Sequence, residues 1–300
     1  MQPTQPNSIQ KFLDYLSFQK RYSPNTVISY ETDLLAFFDY LLLEYESKEV
    51  KDVSTVMVRS WLAQLKEKKN SAKTINRKIS SLKSFFKYLL RNEEIQSNPA
   101  AVIQSLKVSR KLPAFIEEKD IAKIFVPGVF ADSWDGKLNR LIFSILYNTG
   151  IRLNELIHLK ESDIDKYLSC IKVLGKGNKD RLVPVSNHLI SEIDSYITDK
   201  RLNFPGLEVP YLLLTHKGKM LYPKYVYNMV KLQLGNVSTM ERKSPHILRH
   251  SFATHLTNHG AQINAIKELL GHSSLAATQI YTHNSIEKLK EVHKQAHPKS

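Results

Sequence analysis

The sequence predicts a mainly α-helical protein with a small antiparallel β-sheet in its C-terminal domain. Apolar residues recur at helical spacing through most of the first hundred residues. Around residues 168–185, two β-branched segments flank a turn that contains two glycines, an asparagine and an aspartate, which is typical of a hairpin. A basic, proline-terminated stretch at 105–113 indicates a linker, so we expect a helical domain at 1–104 and a second domain at 114–300.

Serine caps predict where the N-terminal helices begin. A first helix starts near Ser8, and Ser23, Ser54 and Ser71 precede three further apolar stripes. The fourth helix, ending near Arg91, contains no acidic residue. Since like charges one turn apart repel, a phosphate-facing surface is favoured over a merely solvated basic face. The basic residues assigned to this surface are Lys73, Arg77, Lys78, Lys83 and Lys87.

The second domain alternates helices with short strands. We expect helices at 137–148 and from Arg152, strands at 168–174 and 181–185, a third short strand at 211–214, and helices after Lys224. Pro184 has no amide hydrogen to donate, which suits an edge strand.

The charge balance favours a polyanionic partner. Lysine and arginine number 43 against 29 acidic residues, which gives a net charge of +14. Nucleic acid is the first choice and an anionic membrane the second, although a merely basic protein would have the same balance. The single cysteine, Cys170, excludes an intrachain disulfide and suits a cytoplasmic location. No apolar run approaches the roughly 20 residues that span a bilayer. The first residues show neither a charged region nor an apolar core, so no export signal is expected from them.

The helix that begins at Ser244-Pro245 carries the strongest chemical signal. Leu248, Phe252 and Leu256 predict its buried stripe, whereas His246, Arg249 and His250 share another face. Free amides at a helix N-terminus attract anions, and the arginine fork matches two phosphate oxygens. Taken alone, His246 is more typical of a surface histidine, and Arg249 could pair with a carboxylate.

Four more residues, Arg152, Lys176, His272 and Tyr281, complete a set able to break a phosphodiester. Arg152 follows a Thr-Gly helix break, and Glu155, three residues on, would pair with it and hold the guanidinium in place. Lys176 lies between two glycines at the hairpin tip. His272 follows a glycine turn, and Tyr281 comes roughly two helical turns later. Taken alone, Lys176 is more typical of an exposed loop lysine, and Tyr281 is more typical of a packed aromatic ring.

Together these motifs resemble the tyrosine recombinase (phage integrase) family, and closely its Xer-type site-specific recombinases. The resemblance rests on Thr-Gly-Ile-Arg-Leu-Asn-Glu-Leu at 149–156, Gly-Lys-Gly-Asn-Lys-Asp-Arg at 175–181, His-Ile-Leu-Arg-His-Ser-Phe-Ala-Thr-His-Leu at 246–256, Leu-Leu-Gly-His-Ser-Ser-Leu at 269–275 and Tyr-Thr-His at 281–283. It implies a SAM-like core-binding domain and a catalytic domain that together form a C-shaped DNA clamp. We expect further DNA contacts from Lys107, Arg110 and Lys111 in the linker and from Lys179 and Arg181 near the hairpin.

By this resemblance, Tyr281 attacks the scissile phosphorus and forms a covalent 3′-phosphotyrosyl intermediate. His246 would take the phenolic proton, and Lys176 would protonate the leaving 5′-oxygen. Arg152, Arg249 and His272 would bind the phosphate oxygens. No metal, ATP or other cofactor is expected, because the phosphotyrosine conserves the bond energy and the cations act where a metal would.

The family also implies partners and a biological role. It acts on double-stranded DNA as a homotetramer, or as a heterotetramer with a related recombinase, through a Holliday junction. A C-terminal exchange helix, about 285–296, would pack into a neighbouring subunit, although folding of this segment back onto its own domain also stays open. A septal DNA translocase is a further partner that the resemblance allows. The implied role is Xer-like resolution of chromosome or plasmid dimers. Integration or inversion of a mobile element stays open, as does a type IB topoisomerase.

Two readings outside this chemistry also stay open. One is a metal-dependent nuclease that uses the pairs His246/His250 and His255/His259, whose spacing suits a metal. The other is a DNA-binding protein that has lost catalysis.

Overall fold

The computed structural model describes residues 7–47, 49–108, 115–175, 180–241, 243–271 and 292–298. The chain divides into two compact units, unit 1 (Met1–Lys111) and unit 2 (Leu112–Ser300). The fold class is confirmed: both units are mainly helical, and unit 2 contains a small antiparallel sheet. In the part of the chain described, no helix is both long and apolar enough to cross a membrane.

Unit 1 is built from helices that begin where the serine caps predicted. Helix α1 (Asn7–Asp14) continues into a π-helical turn (Tyr15–Gln19), and α2 (Pro24–Tyr45), α3 (Thr55–Glu67) and α4 (Ala72–Arg91) follow. The hydroxyls of Ser23, Ser54 and Ser71 each accept a hydrogen bond from the backbone amide three residues on. These caps satisfy amides that have no partner within the helix.

A buried carboxylate ties α2 to α4 inside this unit. Asp33 is fully buried and accepts hydrogen bonds from Arg77 Nη1 (2.5 Å), Lys78 Nζ (3.1 Å) and Ser81 Oγ (2.8 Å). Lys78 is itself buried, with its ammonium 5.2 Å from the centre of the Trp61 ring. The prediction that Lys78 faces DNA phosphate is therefore wrong, because its charge is used inside the unit.

Several helices of unit 2 pack around one central helix, α6 (Trp134–Thr149). The other helices of this unit are α5 (Glu118–Ile124), α7 (Leu153–Ile157), α8 (Asn187–Asn203), α9 (Pro223–Val237), α10 (Pro245–Asn258) and α11 (Ile263–Leu270), and residues 292–296 add a helical turn. Every residue of α6 from Leu141 to its end is buried. Helix α6 packs against α8 and α10, and its C-terminal half is buried throughout.

The sheet has the strand order β1-β2-β3, with β1 (Ile164–Asp165), β2 (Cys170–Leu174) and β3 (Asp180–Pro184) all antiparallel. Pro184 lies on an edge strand, as predicted. The third strand predicted at 211–214 is wrong: Tyr211 and Leu214 form only single bridges, to Lys160 and Met220. That segment is apolar because its leucines fill the core and not because it continues the ladder.

Candidate active site

The candidate site is built around Gly150, which ends α6. Its backbone is left-handed (φ 60°), a conformation that glycine adopts without steric cost. A Cβ atom here would lie 2.5 Å from Phe252 Cδ1 and 2.9 Å from Leu270 Cδ2. The carbonyl of Gly150 accepts a hydrogen bond of 2.6 Å from Arg249 Nη1. The Thr-Gly break thus lets α10 and α11 pack closely on α6 while it fixes one arginine.

Glu155 joins two arginines from different parts of the chain. Its Oε1 accepts from Arg152 Nη1 (2.8 Å) and Arg181 Nη1 (3.0 Å). Its Oε2 accepts from the Arg152 amide (2.7 Å) and Arg181 Nη2 (2.7 Å). The expected pairing of Arg152 with Glu155 is present, and Arg181 adds a bidentate pair that the sequence did not reveal.

The electrostatics keep this carboxylate ionised. Burial alone would raise the pKa of Glu155, but hydrogen bonds and charge from Arg181, and then from Arg152, outweigh it and bring the pKa down to about 2. Arg181 is buried and belongs to this pair. The prediction that Arg181 contacts DNA is therefore wrong, since its guanidinium points into the protein.

Three arginines hold three successive carbonyl groups at the end of α11. Arg181 Nε donates to Leu269 O (2.9 Å), Arg249 Nη2 to Leu270 O (2.6 Å) and Arg152 Nη2 to Gly271 O (3.1 Å). Burial first, and then the charges of Arg152 and Arg181, lower the pKa of Arg249 to about 10. The cluster contains three guanidinium groups and one carboxylate, so it carries excess positive charge and is suited to an anion.

Access to the cluster differs among its members. The Arg152 side chain is 34% exposed, whereas Arg249 is 9% exposed and Arg181 is buried. Nearby on α10, His246 is exposed in the first turn, and Leu248, Phe252 and Leu256 form the buried stripe as predicted. The Ser244 hydroxyl makes no cap hydrogen bond; the Ser244 backbone carbonyl accepts from the amides of Ile247 and Leu248 instead.

Several predicted residues lie outside the described part of the chain: Lys176, Lys179, His272, Tyr281, Arg110 and Lys111. Among the other predicted DNA contacts, Lys73, Lys87 and Lys107 are exposed and Lys83 is partly exposed. Arg77 is exposed, and its Nη1 donates hydrogen bonds to Ser29 Oγ and Asp33 Oδ2.

The His255/His259 pair is used structurally and does not form a metal site. His255 Nε2 donates to Ile116 O (2.8 Å), which leaves Nδ1 to accept from the Tyr147 hydroxyl (2.9 Å). His259 Nε2 lies 3.1 Å from Glu118 Oε1. Burial lowers the pKa of His255 and raises that of Tyr147, so both are neutral near pH 7.

The tail segment (residues 292–298) covers an apolar surface of its own unit. Ala296 packs into a cluster with Phe252, and the stacked rings of His293 and His297 lie 4.9 Å apart. His293 Nε2 donates to Asn148 O (2.9 Å), and His297 Nε2 donates to Tyr147 O (3.2 Å). The exchange helix predicted at about 285–296 was expected against a neighbouring subunit, whereas its described residues, 292–296, pack on their own unit. The two histidines that make this contact were not predicted, because isolated histidines carry no helical pattern.

Comparison with known protein families decides what this cluster belongs to. Residues 114–288 match the model of the phage integrase family, and residues 9–93 match the phage integrase N-terminal SAM-like domain. The chain belongs to the phage integrase family of tyrosine recombinases. As a member, it is a site-specific DNA recombinase.

Similar proteins span nearly the whole chain. Tyrosine recombinase XerC of Chlorobaculum parvum is 35% identical over 97% of this chain and 94% of its own length. Tyrosine recombinase XerD of Shewanella oneidensis is 35% identical over 97% of this chain and 96% of its own length. The XerH recombinase in a post-cleavage complex with palindromic difH is 26% identical, with a TM-score of 0.73 over 94% of this chain and 82% of that structure.

Proposed function

We propose that this recombinase cuts and rejoins DNA through a covalent 3′-phosphotyrosyl intermediate on Tyr281. The observation that carries the proposal is the convergence of Arg152 and Arg249 on the carbonyls of Leu270 and Gly271, directly before His272. Two guanidinium groups brought together in this way are suited to grip the non-bridging oxygens of one phosphate.

In the proposed step, the Tyr281 oxygen forms a bond to phosphorus while the bond to the 5′-oxygen breaks. His246 takes the phenolic proton, and Lys176 gives a proton to the departing 5′-oxygen. Arg152, Arg249 and His272 stabilise the charge that develops on the phosphate, where removal of one donor typically costs about 10²–10³ in rate. Glu155 keeps Arg152 in place. The reverse step rejoins the strand, so the reaction uses neither ATP nor a metal.

We further propose an Xer-like role, the resolution of chromosome or plasmid dimers through a Holliday junction. XerC and XerD relatives that match over 94–96% of their own lengths support this role over integration or inversion of a mobile element. In this proposal residues 1–104 form the core-binding domain, 105–113 the linker and 114–300 the catalytic domain. Four subunits, identical or of two related kinds, act on cytoplasmic DNA, with a septal translocase as a further partner. Helix 285–296, whose residues 292–296 pack on their own unit in this structure, leaves that surface in the tetramer and packs into a neighbouring subunit.

The proposal is tested by trapping the covalent intermediate on sheared genomic DNA of the source organism. Wild-type protein should retain DNA after denaturation with detergent, both with and without EDTA, and sequencing of that DNA gives the target site. Tyr281→Phe should bind DNA but retain none, because it lacks the nucleophilic oxygen. Tyr227→Phe is the matched control, since Tyr227 is an exposed tyrosine on α9, and it should behave as wild type. An adduct formed by Tyr281→Phe would show that another residue is the nucleophile.

A further inference from the structure

Arg181 belongs to the arginine cluster but has no assigned part in cleavage. Neither the sequence motifs nor the proposed mechanism gives it one. It lies on β3 and is 4% exposed. All three of its guanidinium nitrogens donate hydrogen bonds: Nε to Leu269 O, and Nη1 and Nη2 to the two oxygens of Glu155. A buried arginine costs desolvation energy, which such complete pairing offsets.

The first connection from Arg181 runs through Glu155 to Arg152. Each oxygen of the carboxylate accepts one bond from Arg181 and one from Arg152. The bidentate pair with Arg181 therefore sets the plane of the carboxylate, and the other lone pairs set the Arg152 side chain and its amide. If Arg181 is removed, the carboxylate keeps only the partner that it is meant to orient.

The second connection runs to the turn that precedes His272. Arg181 holds the carbonyl of Leu269, while Arg249 and Arg152 hold those of Leu270 and Gly271. Arg181 also packs against this turn, since a Cβ atom on Gly271 would lie 3.1 Å from Arg181 Cδ and Nη1. One side chain thus contacts both the arginine pair and the backbone that leads into His272.

We propose that Arg181 is a positioning residue for DNA cleavage, which holds Arg152 and the 269–271 turn in the arrangement that binds the scissile phosphate. This inference rests on the proposed function. It requires the planar fork of arginine and not merely a positive charge, because a lysine at this position could not bind Leu269 O and both carboxylate oxygens with the same geometry.

The test compares two substrates made from the trapped target site as nicked duplexes that cannot religate. One has the normal scissile phosphodiester, and the other has a methylphosphonate, in which a methyl group replaces one non-bridging oxygen and removes the negative charge. The neutral linkage needs less charge stabilisation from the arginines. A variant with misplaced arginines should therefore lose less cleavage rate on the methylphosphonate than on the phosphodiester. Loss of overall fold would slow both substrates alike.

Arg181→Met should slow single-turnover cleavage of the phosphodiester by about 10–100-fold, a part of the loss expected when a donor is removed outright. On the methylphosphonate, the wild-type and variant rates should agree within about threefold, and DNA affinity should also change by less than about threefold. Arg181→Lys should show the same substrate dependence, and it decides the matter if Arg181→Met does not fold.

Lys200→Met is the matched control. Lys200 is likewise buried in unit 2, where its ammonium binds the Glu161 carboxylate and the Tyr211 carbonyl. Removing it should lower the melting temperature while leaving the ratio of the two cleavage rates unchanged.

Two outcomes would overturn the proposal for Arg181: equal slowing on both substrates, or wild-type cleavage of the phosphodiester by Arg181→Lys. Absence of any covalent adduct from wild-type protein would instead contradict the proposed function, so the two failures are distinguishable.

Discussion

Replacement of Gly150 by alanine should destabilise the end of α6 and disturb the arginine cluster. The left-handed backbone costs an alanine about 1–2 kcal/mol, and the 2.5 Å approach to Phe252 adds overpacking of about 1–3 kcal/mol. Alanine also restricts the unfolded chain more than glycine does, which stabilises the folded state by about 0.4–1 kcal/mol. The net loss is about 1–5 kcal/mol from these terms.

Gly260→Ala separates the two causes. Gly260 also has a positive φ (86°), but a Cβ atom there meets nothing within 4 Å. Its replacement should cost only about 0–2 kcal/mol, the backbone cost less the gain from the unfolded state. The difference between the two variants, about 1–3 kcal/mol, is then the overpacking at Gly150.

Native-state hydrogen exchange followed by mass spectrometry is the assay, because it reports the opening free energy of α6 and α10 peptides separately from unit 1. Covalent adduct formation should also fall in Gly150→Ala, since Arg249 donates to the carbonyl of that residue. Equal losses of protection in Gly150→Ala and Gly260→Ala would refute the packing argument.

Two further predictions concern buried charge and pH. Asp33→Asn should lower the stability of unit 1 by about 3–5 kcal/mol, because Lys78 would stay buried without its carboxylate; unchanged hydrogen exchange in α2 and α4 would contradict this. Burial lowers the pKa of His293 in the docked tail segment, so the released tail binds more protons. Docking should therefore be complete above the ordinary histidine pKa of about 6.5 and weaken as the pH falls below it, seen as faster exchange in peptides covering 292–298. A His293→Gln variant with the same pH response would contradict the assignment.

Local signals in the sequence were enough for the helices and for part of the site. The caps at Ser23, Ser54 and Ser71 were predictable because a serine and the amide that it binds are three residues apart. The pairing of Arg152 with Glu155 was predictable for the same reason, since both residues lie in one helical turn.

Partners that are distant in the sequence could not be predicted in this way. Lys78 and Arg181 looked like free cations, but their carboxylates, Asp33 and Glu155, are 45 and 26 residues away. Only the packing of α2 on α4, and of β3 beside α7, brings these charges together. The segment 211–214 failed for a related reason, because apolar side chains indicate burial without showing whether a neighbouring strand is present.

The contact between the tail segment and α6 has a consequence for how this protein could diverge. His293 and His297 bind the main-chain oxygens of Asn148 and Tyr147, not their side chains. Every amino acid supplies such an oxygen, so substitutions at these two positions that preserve the helix also preserve the acceptors. Substitutions on the surface of α6 that receives the tail would therefore leave these two hydrogen bonds intact. A tail that carries the same two imidazoles could still dock on the corresponding helix of a distant homologue.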